Sequence, residues 1–373
     1  MSNNKRYLRK RRKQISAHFC VFLFTLLFFF TAVALIGAYT IFNGPSQTLS
    51  DTVIRSMSQT SALKFIPYLF MSEQEVEASM QRTSPGDLEF ATDTSLYTFT
   101  SASVSSSANY SEYSADSSGM NVVSSDHLNA AGTSSETPSV EEDPYGVGPG
   151  IRIDRITGPT YKGYMAIIDD PSRVSVGVSS DFKENKPGIL LPEFLEKYDA
   201  ILAVNGGAFS DPNGKGHGGF PGGVLISDGV VYHEPTQYLT TACFDRNNRL
   251  IVGNISAKQA LAMNVRDAVA FGPALIINGE VTNAGKDPGL NPRTAIGQRA
   301  DGAVLLLVVD GRHLDSIGAS MADLISIMQE YGAINACNLD GGSSTAMVVN
   351  GEQLNDGTSV IGSRRIPSAV IVR

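Results

Sequence analysis

A run of 24 uncharged, mostly apolar residues, Phe19 to Phe42, lies near the start of this 373-residue chain. At about 1.5 Å per residue such a helix reaches across the ~30 Å hydrocarbon core of a bilayer. Seven basic residues precede it (Lys5, Arg6, Arg9, Lys10, Arg11, Arg12 and Lys13), and no acidic residue appears before Asp51. That asymmetry favours a cytoplasmic N-terminus, with the rest of the chain outside. The rival reading is a cleaved signal peptide, whose apolar part would run about 7–15 residues and end on an Ala-x-Ala-like site. This run is longer and Gly37-Ala38-Tyr39 fits such a site poorly, which favours an uncleaved, single-pass anchor in the cell membrane.

The whole-chain charge of -8 therefore averages unlike parts. Beyond the apolar run stand 22 basic residues against 37 acidic ones. An acidic exported surface excludes a nucleic-acid binder, which needs a basic face against phosphates. It also requires any anionic substrate to find a locally basic pocket. Three Cys exclude a disulfide framework. Cys243 and Cys337 remain outside the membrane, either as a pair or as buried thiols.

The chain divides into a basic tail (1–18), the anchor (19–42), a juxtamembrane stalk (43–94), a spacer (95–150) and a C-terminal domain (151–373). Residues 51–82 have helical periodicity interrupted at Pro67, and their apolar face suits the membrane surface or another copy; self-association stays open. From Thr83 to Ile151 there is no Lys or Arg, and Ser dominates the middle. Such a stretch buries too little apolar surface to offset its ordering entropy. It reads as a tether that holds the domain off the membrane.

In the domain, β-prone runs meet at Asp228-Gly229, Asn278-Gly279, Asp301-Gly302 and Asn350-Gly351, dipeptides that accept the positive φ of tight hairpins. Helices are expected at Pro192–Tyr198, Ala257–Met263 and Met321–Tyr331, the last with a Ser320/Asp323 capping box. Hairpins with few helices predict an α+β domain with a curved mixed β-sheet and helices on one side.

Three stretches set polar side chains in glycine at strand ends. The first is Asn205-Gly206-Gly207-Ala208-Phe209, continuing through Asp211 and Lys215 to His217. The second is Arg293-Thr294-Ala295-Ile296-Gly297, followed by Asp310-Gly311-Arg312. The third is Asn338-Leu339-Asp340-Gly341-Gly342-Ser343. Glycine there lets backbone approach a ligand closely.

In content and order these stretches resemble the phosphodiester glycosidase family, over residues 160–373. Ser343 stands where the family often has a third Gly, and Ser368 where it commonly has Asn. The anchor, stalk and spacer resemble those of bacterial surface proteins linked to exopolysaccharide. The family resemblance implies hydrolysis of a sugar-1-phosphodiester, here in a phosphate-linked glycopolymer of the wall or exopolysaccharide. The leaving group is a phosphate monoester, so a strong general acid matters less than in ordinary glycosidases. Cationic recognition of phosphate and a carboxylate near the sugar are what the reaction needs.

For the phosphate, Arg293 ranks first, with Thr294, Arg312 and the amides of Gly341 and Gly342 in support. For the carboxylate, Asp340 ranks first and Asp310 second. Asn205 would orient water or a sugar hydroxyl, with His217 as acid, base or phosphate ligand. Gly206, Gly207 and Ser343 complete the expected substrate contacts. The plainer alternatives are an Arg293 ion pair that only holds loops, turns at Asp310-Gly311 and Asn205-Gly206, and a turn cap at Ser343. Asp310, Asp340 and Asn205 offer oxygens suited to Ca²⁺ or Mg²⁺; no obligatory metal or cofactor is expected. The competing functions are a non-catalytic carbohydrate-binding scaffold and a metal-dependent phosphodiesterase that cuts the P–O bond.

Overall fold

The structure is a computed structural model that describes residues 2–58, 63–82, 92–99, 143–182, 186–210, 217–235, 239–356 and 363–373. The spacer residues 100–142, and Asp211 and Lys215 of the first glycine-rich stretch, lie outside the described residues. Helix α1 (Ser2–Asn43) contains the apolar run, and its Phe22–Asn43 part is long and apolar enough to cross a membrane. Helix α2 (Gln47–Ser58), a 3₁₀ turn at Pro67–Leu69 and helix α3 (Glu73–Arg82) follow, so the interruption at Pro67 is real. Proline fits the first position of that turn because its missing N–H would be unpaired there anyway. Phe42 at the end of α1, Ile54 of α2 and Val76 of α3 form one small buried cluster.

The C-terminal domain follows from strands that are apolar on both faces. Val304 to Val309 is a fully buried strand with no polar position. Successive strand side chains point to opposite faces, so such a strand must feed two cores. Val304, Leu306 and Val308 enter a central cluster, while Leu305, Leu307 and Val309 enter another. Ala369 to Val372 does the same, sending Val370 and Val372 inward and Ala369 and Ile371 outward. Each Leu or Val so buried contributes about 1.5–3 kcal/mol.

Three sheets share the central cluster. The seven-stranded sheet centres on Arg293–Arg299, between Val304–Val309 and Ala333–Asn338. One five-stranded sheet centres on Val265–Phe271, and the other on Leu202–Asn205, which lies between Met347–Val349 and Ser368–Val372. Helices α4 (Leu191–Tyr198), α5 (Ala257–Ala262) and α6 (Met321–Glu330) each cover the outer face of a different sheet. The α+β class stands. The curved sheet, expected as one mixed sheet with helices on one side, is three large sheets, with one helix outside each, and a two-stranded pair of Phe209–Ser210 with Phe220–Pro221; pairing is antiparallel throughout the described residues. All four hairpins form. Asp228-Gly229, Asn278-Gly279 and Asn350-Gly351 have positive φ at both residues; in the longer Asp301-Gly302 turn only Gly302 does. Cys243 and Cys337 are buried free thiols; burial pushes the Cys337 thiol up to about 12.

Two N-terminal segments dock on this domain. Arg55 of α2 pairs with Asp287 at 3.2 Å, and the Leu290 N–H donates to Ser56 Oγ at 2.8 Å. The stalk thus lies against the domain. Farther on, residues 92–99 strap the edge strand Leu250–Asn254. The Val252 N–H donates to Thr92 Oγ1 at 2.8 Å, and the Tyr97 hydroxyl donates to the Leu250 carbonyl at 2.7 Å. Tyr97 is buried and also accepts from Asn335 Nδ2 at 3.0 Å. The Thr98 N–H donates to the Ala300 carbonyl at 2.9 Å.

Candidate active site

Four chain segments converge where strands end: Asn205-Gly206, Pro292-Arg293-Thr294, Asp310 to Arg312, and Asn338 to Thr345. Asn205, the last residue of its strand, is the knot. It is 1% exposed. Its Nδ2 donates to the Asp340 carbonyl at 2.6 Å, and its Oδ1 accepts from Thr294 Oγ1 at 2.7 Å and from the Ala346 N–H at 3.2 Å. A buried amide so satisfied fixes three segments, because freeing any partner would leave a polar group unpaired. Asn205 and Thr294 therefore sit beneath the Asp340 loop as its frame.

Asp340 follows the strand Ala333–Asn338. The Leu339 N–H donates to the Thr294 carbonyl at 2.8 Å, and the Asp340 N–H to the Gly206 carbonyl at 3.2 Å. The chain then turns sharply, with Gly342 at φ +61 and its N–H donating to the Pro292 carbonyl at 2.9 Å. Glycine is required twice in this crossing. A Cβ at Gly341 would fall 2.8 Å from the Pro292 carbonyl oxygen, and one at Gly206 would fall 2.5 Å from Ser368 Oγ. Ser368 itself accepts from the Gly207 N–H at 3.3 Å. Burial pushes the half-buried Asp340 carboxyl up to about 6; hydrogen bonds from Ser344 and the Gly341 N–H, and the charge of Arg364, oppose that rise.

The arginines divide by environment. Arg293 is 6% exposed and donates to the carbonyls of Gly289, at 2.7 Å, and Ala319, at 3.2 Å. Burial pushes its guanidinium down to about 10, against the pull of Asp287. Arg293 thus holds the loops on either side of it, closer to the plainer alternative than to an open phosphate ligand. Arg312, exposed and held at φ +64, lays its guanidinium beside Gly342 and donates to Asn291 Oδ1 at 3.3 Å. On the other side Arg364 donates to Ser343 Oγ at 2.6 Å and sits 5.4 Å from the centre of the Phe209 ring. Two cations therefore flank the Asp340–Ser343 turn. Sequence reasoning included Arg312 and passed over Arg364. Its signal was the basic pair Arg364-Arg365 just before an apolar strand, together with Ser343 in the glycine turn.

Asp310 is 7% exposed, and its Oδ1 accepts from Asn355 Nδ2 at 3.1 Å. The same Asn355 Nδ2 donates to the Thr345 carbonyl at 3.2 Å, tying Asp310 to the far end of the Asp340 loop. Burial pushes Asp310 up to about 6 as well. His217 is exposed on a loop whose carbonyl accepts from the Gly188 N–H at 2.9 Å, next to the strand entry at Ile366. Among the described residues no three His, Cys, Asp or Glu side chains converge as a metal cluster. A groove of about 660 Å³, lined by Thr92, Asp245, Arg249 and Met263, lies under the strap and contains none of the motif residues.

Residues 198–373 match the family model described as phosphodiester glycosidase. The SPbeta prophage-derived uncharacterized protein YomE of Bacillus subtilis (strain 168) is 36% identical over 146 residues, which is 36% of this chain. The present chain spans 23% of that relative's length. Among solved structures, the zebrafish N-acetylglucosamine-1-phosphodiester α-N-acetylglucosaminidase catalytic domain, auto-inhibited by its pro-peptide, is similar with a TM-score of 0.50 at 22% identity. That match covers 60% of this chain and 81% of the zebrafish chain, and it is a likeness of fold.

Proposed function

We propose that this chain, which carries a domain of the phosphodiester glycosidase family over residues 198–373, is a hydrolase that opens a sugar-1-phosphate diester at its glycosidic C–O bond. The observation that carries the reading is a half-buried carboxylate, Asp340, in a glycine turn flanked by Arg312 and Arg364. The two guanidinium groups bind the phosphate through planar forks of donors. Asp340, ionised above about 6, faces the sugar's developing positive charge and takes the proton of the attacking water. Water oxygen bonds to C1, the C1–O bond breaks, and its electron pair leaves on a phosphate monoester stabilised by the arginines. Asn205 and Thr294 act through Asp340 as positioning residues, and Arg293 holds the loop that carries Arg312's partner Asn291. His217, exposed on its loop, is assigned here to the sugar.

Helix α1 anchors the chain in the cell membrane with its basic end in the cytoplasm, leaving the domain outside. The substrate is a phosphate-linked sugar of the cell-surface glycopolymers. Hydrolysis of a sugar-1-phosphodiester in ¹⁸O-water tests the chemistry: label in the sugar is expected. Label in the phosphate means P–O cleavage and replaces this reading with a phosphodiesterase. Binding of purified polymer with no product under any condition leaves only the scaffold reading.

A further inference from the structure

The stalk joins the end of α1 to the site's rim through a short chain of contacts. The apolar part of α1, Phe22–Asn43, has 22 residues and rises about 33 Å, close to the hydrocarbon thickness. Phe42 and Asn43 therefore stand at the outer boundary. The ring of Phe70 stacks on Phe42, with centroids 5.2 Å apart, and Asn43 Nδ2 donates to the Phe70 carbonyl at 3.3 Å. The segment leading to Phe70 is thus fixed at that boundary. It exposes Leu63, Phe65, Tyr68 and Leu69, with Phe65 57% and Leu69 68% exposed, and Lys64 among them. Exposed aromatics and a lysine beside a bilayer-spanning helix are the composition of an interfacial anchor.

The same small cluster joins the boundary to the site. Ile54 shares the cluster with Phe42, and the next two residues, Arg55 and Ser56, bond Asp287 and Leu290. Asn291 follows directly and accepts from Arg312. Beyond Arg312 the rim exposes Leu314 completely and Ile317 by 53%. An acidic, water-facing domain gains nothing from bare apolar side chains beside a phosphate site. Against a membrane surface they are buried.

We propose that this face lies on the outer leaflet, and that the site takes a glycosyl phosphodiester whose second alcohol is a membrane lipid. The inference rests on the hydrolase reading above and on α1 spanning the bilayer. The reaction is the one already described: water adds to C1, the C1–O bond breaks, and the lipid phosphate departs as a monoester that stays in the leaflet.

The test uses the full chain in phospholipid vesicles and two esters of one sugar-1-phosphate, one with ethanol and one with a long polyprenol. The polyprenyl ester is expected to show a kcat/KM higher by about tenfold or more, from its concentration at the surface. Phe65→Asp with Leu69→Asp, and separately Leu314→Asp, are expected to erase that advantage while ethyl ester turnover and thermal midpoint stay unchanged. Cleavage of the ethyl ester without the polyprenyl one overturns the lipid inference and leaves the hydrolase reading standing. So does a preference that survives all three substitutions. A chain that cleaves neither ester overturns both.

Discussion

Arg293, Arg312 and Arg364 carry the same charge and differ in what surrounds it. Arg293 starts a central strand of the seven-stranded sheet and points into a loop whose carbonyls it satisfies, so its loss would leave buried acceptors unpaired. Arg293→Ala is expected to lower stability by about 2–4 kcal/mol, seen as a fall in thermal midpoint. Arg312→Ala and Arg364→Ala should hold the midpoint and instead weaken kcat/KM about ten- to a thousandfold. An unchanged midpoint in Arg293→Ala with lost turnover would return the phosphate role to Arg293. The carboxylates separate by pH. If Asp340 works ionised, kcat/KM rises with pH through about 6, and Asp340→Asn removes that limb along with about 10²–10⁴ of the rate. Asp310→Asn should keep the limb. Asp310's folded value is raised, so its contribution is present below about pH 4, the ordinary carboxylate range, and is lost as pH rises through about 6. Asparagine there is accordingly expected to raise the thermal midpoint at pH 8, by about 1–2 kcal/mol in stability.

At the scale of elements, the strap predicts its own dependence. Leu250–Asn254 is the edge of its sheet, and an uncovered edge invites pairing with another chain. Tyr97→Ala removes a buried ring and two hydrogen bonds, and should cost about 3–5 kcal/mol and bring concentration-dependent aggregation. A monomeric variant with an unchanged midpoint would deny the strap that role. Elements were legible where the code is local. Asn278-Gly279 and Asn350-Gly351 specify their turns because asparagine and glycine tolerate positive φ, and Ser320 with Asp323 caps α6 as its spacing implies. The strap was not legible, because Thr92 to Phe99 reads like the polar stretch after it, and only its distant partners Leu250, Asn335 and Ala300 give it order. The division into three sheets was hidden for the same reason: Leu202–Asn205 pairs with strands more than a hundred residues away. The site was half legible. Glycine-set motifs named the converging segments, but which way an arginine points at a strand end depends on loops such as Gly289 and Ala319.

At the scale of the whole molecule, sequence reading put the stalk and spacer in series between membrane and domain. The structure docks α2 and residues 92–99 on the domain itself, while Asp143 to Val147 re-enter it, with Asn350 Nδ2 donating to the Tyr145 carbonyl at 2.9 Å. The described flanks, residues 92–99 and 143–147, thus pack on one body. The position of the domain relative to α1 is therefore set by α2, through Arg55 on Asp287 and Ser56 on Leu290. Lengthening the chain between Phe99 and Asp143 should therefore leave activity on a surface-bound substrate unchanged. A chain cut between Phe99 and Asp143 should give two bands on a denaturing gel from a particle that still elutes as one, because the contacts of Thr92, Tyr97 and Tyr145, not the peptide bond, keep the two pieces together.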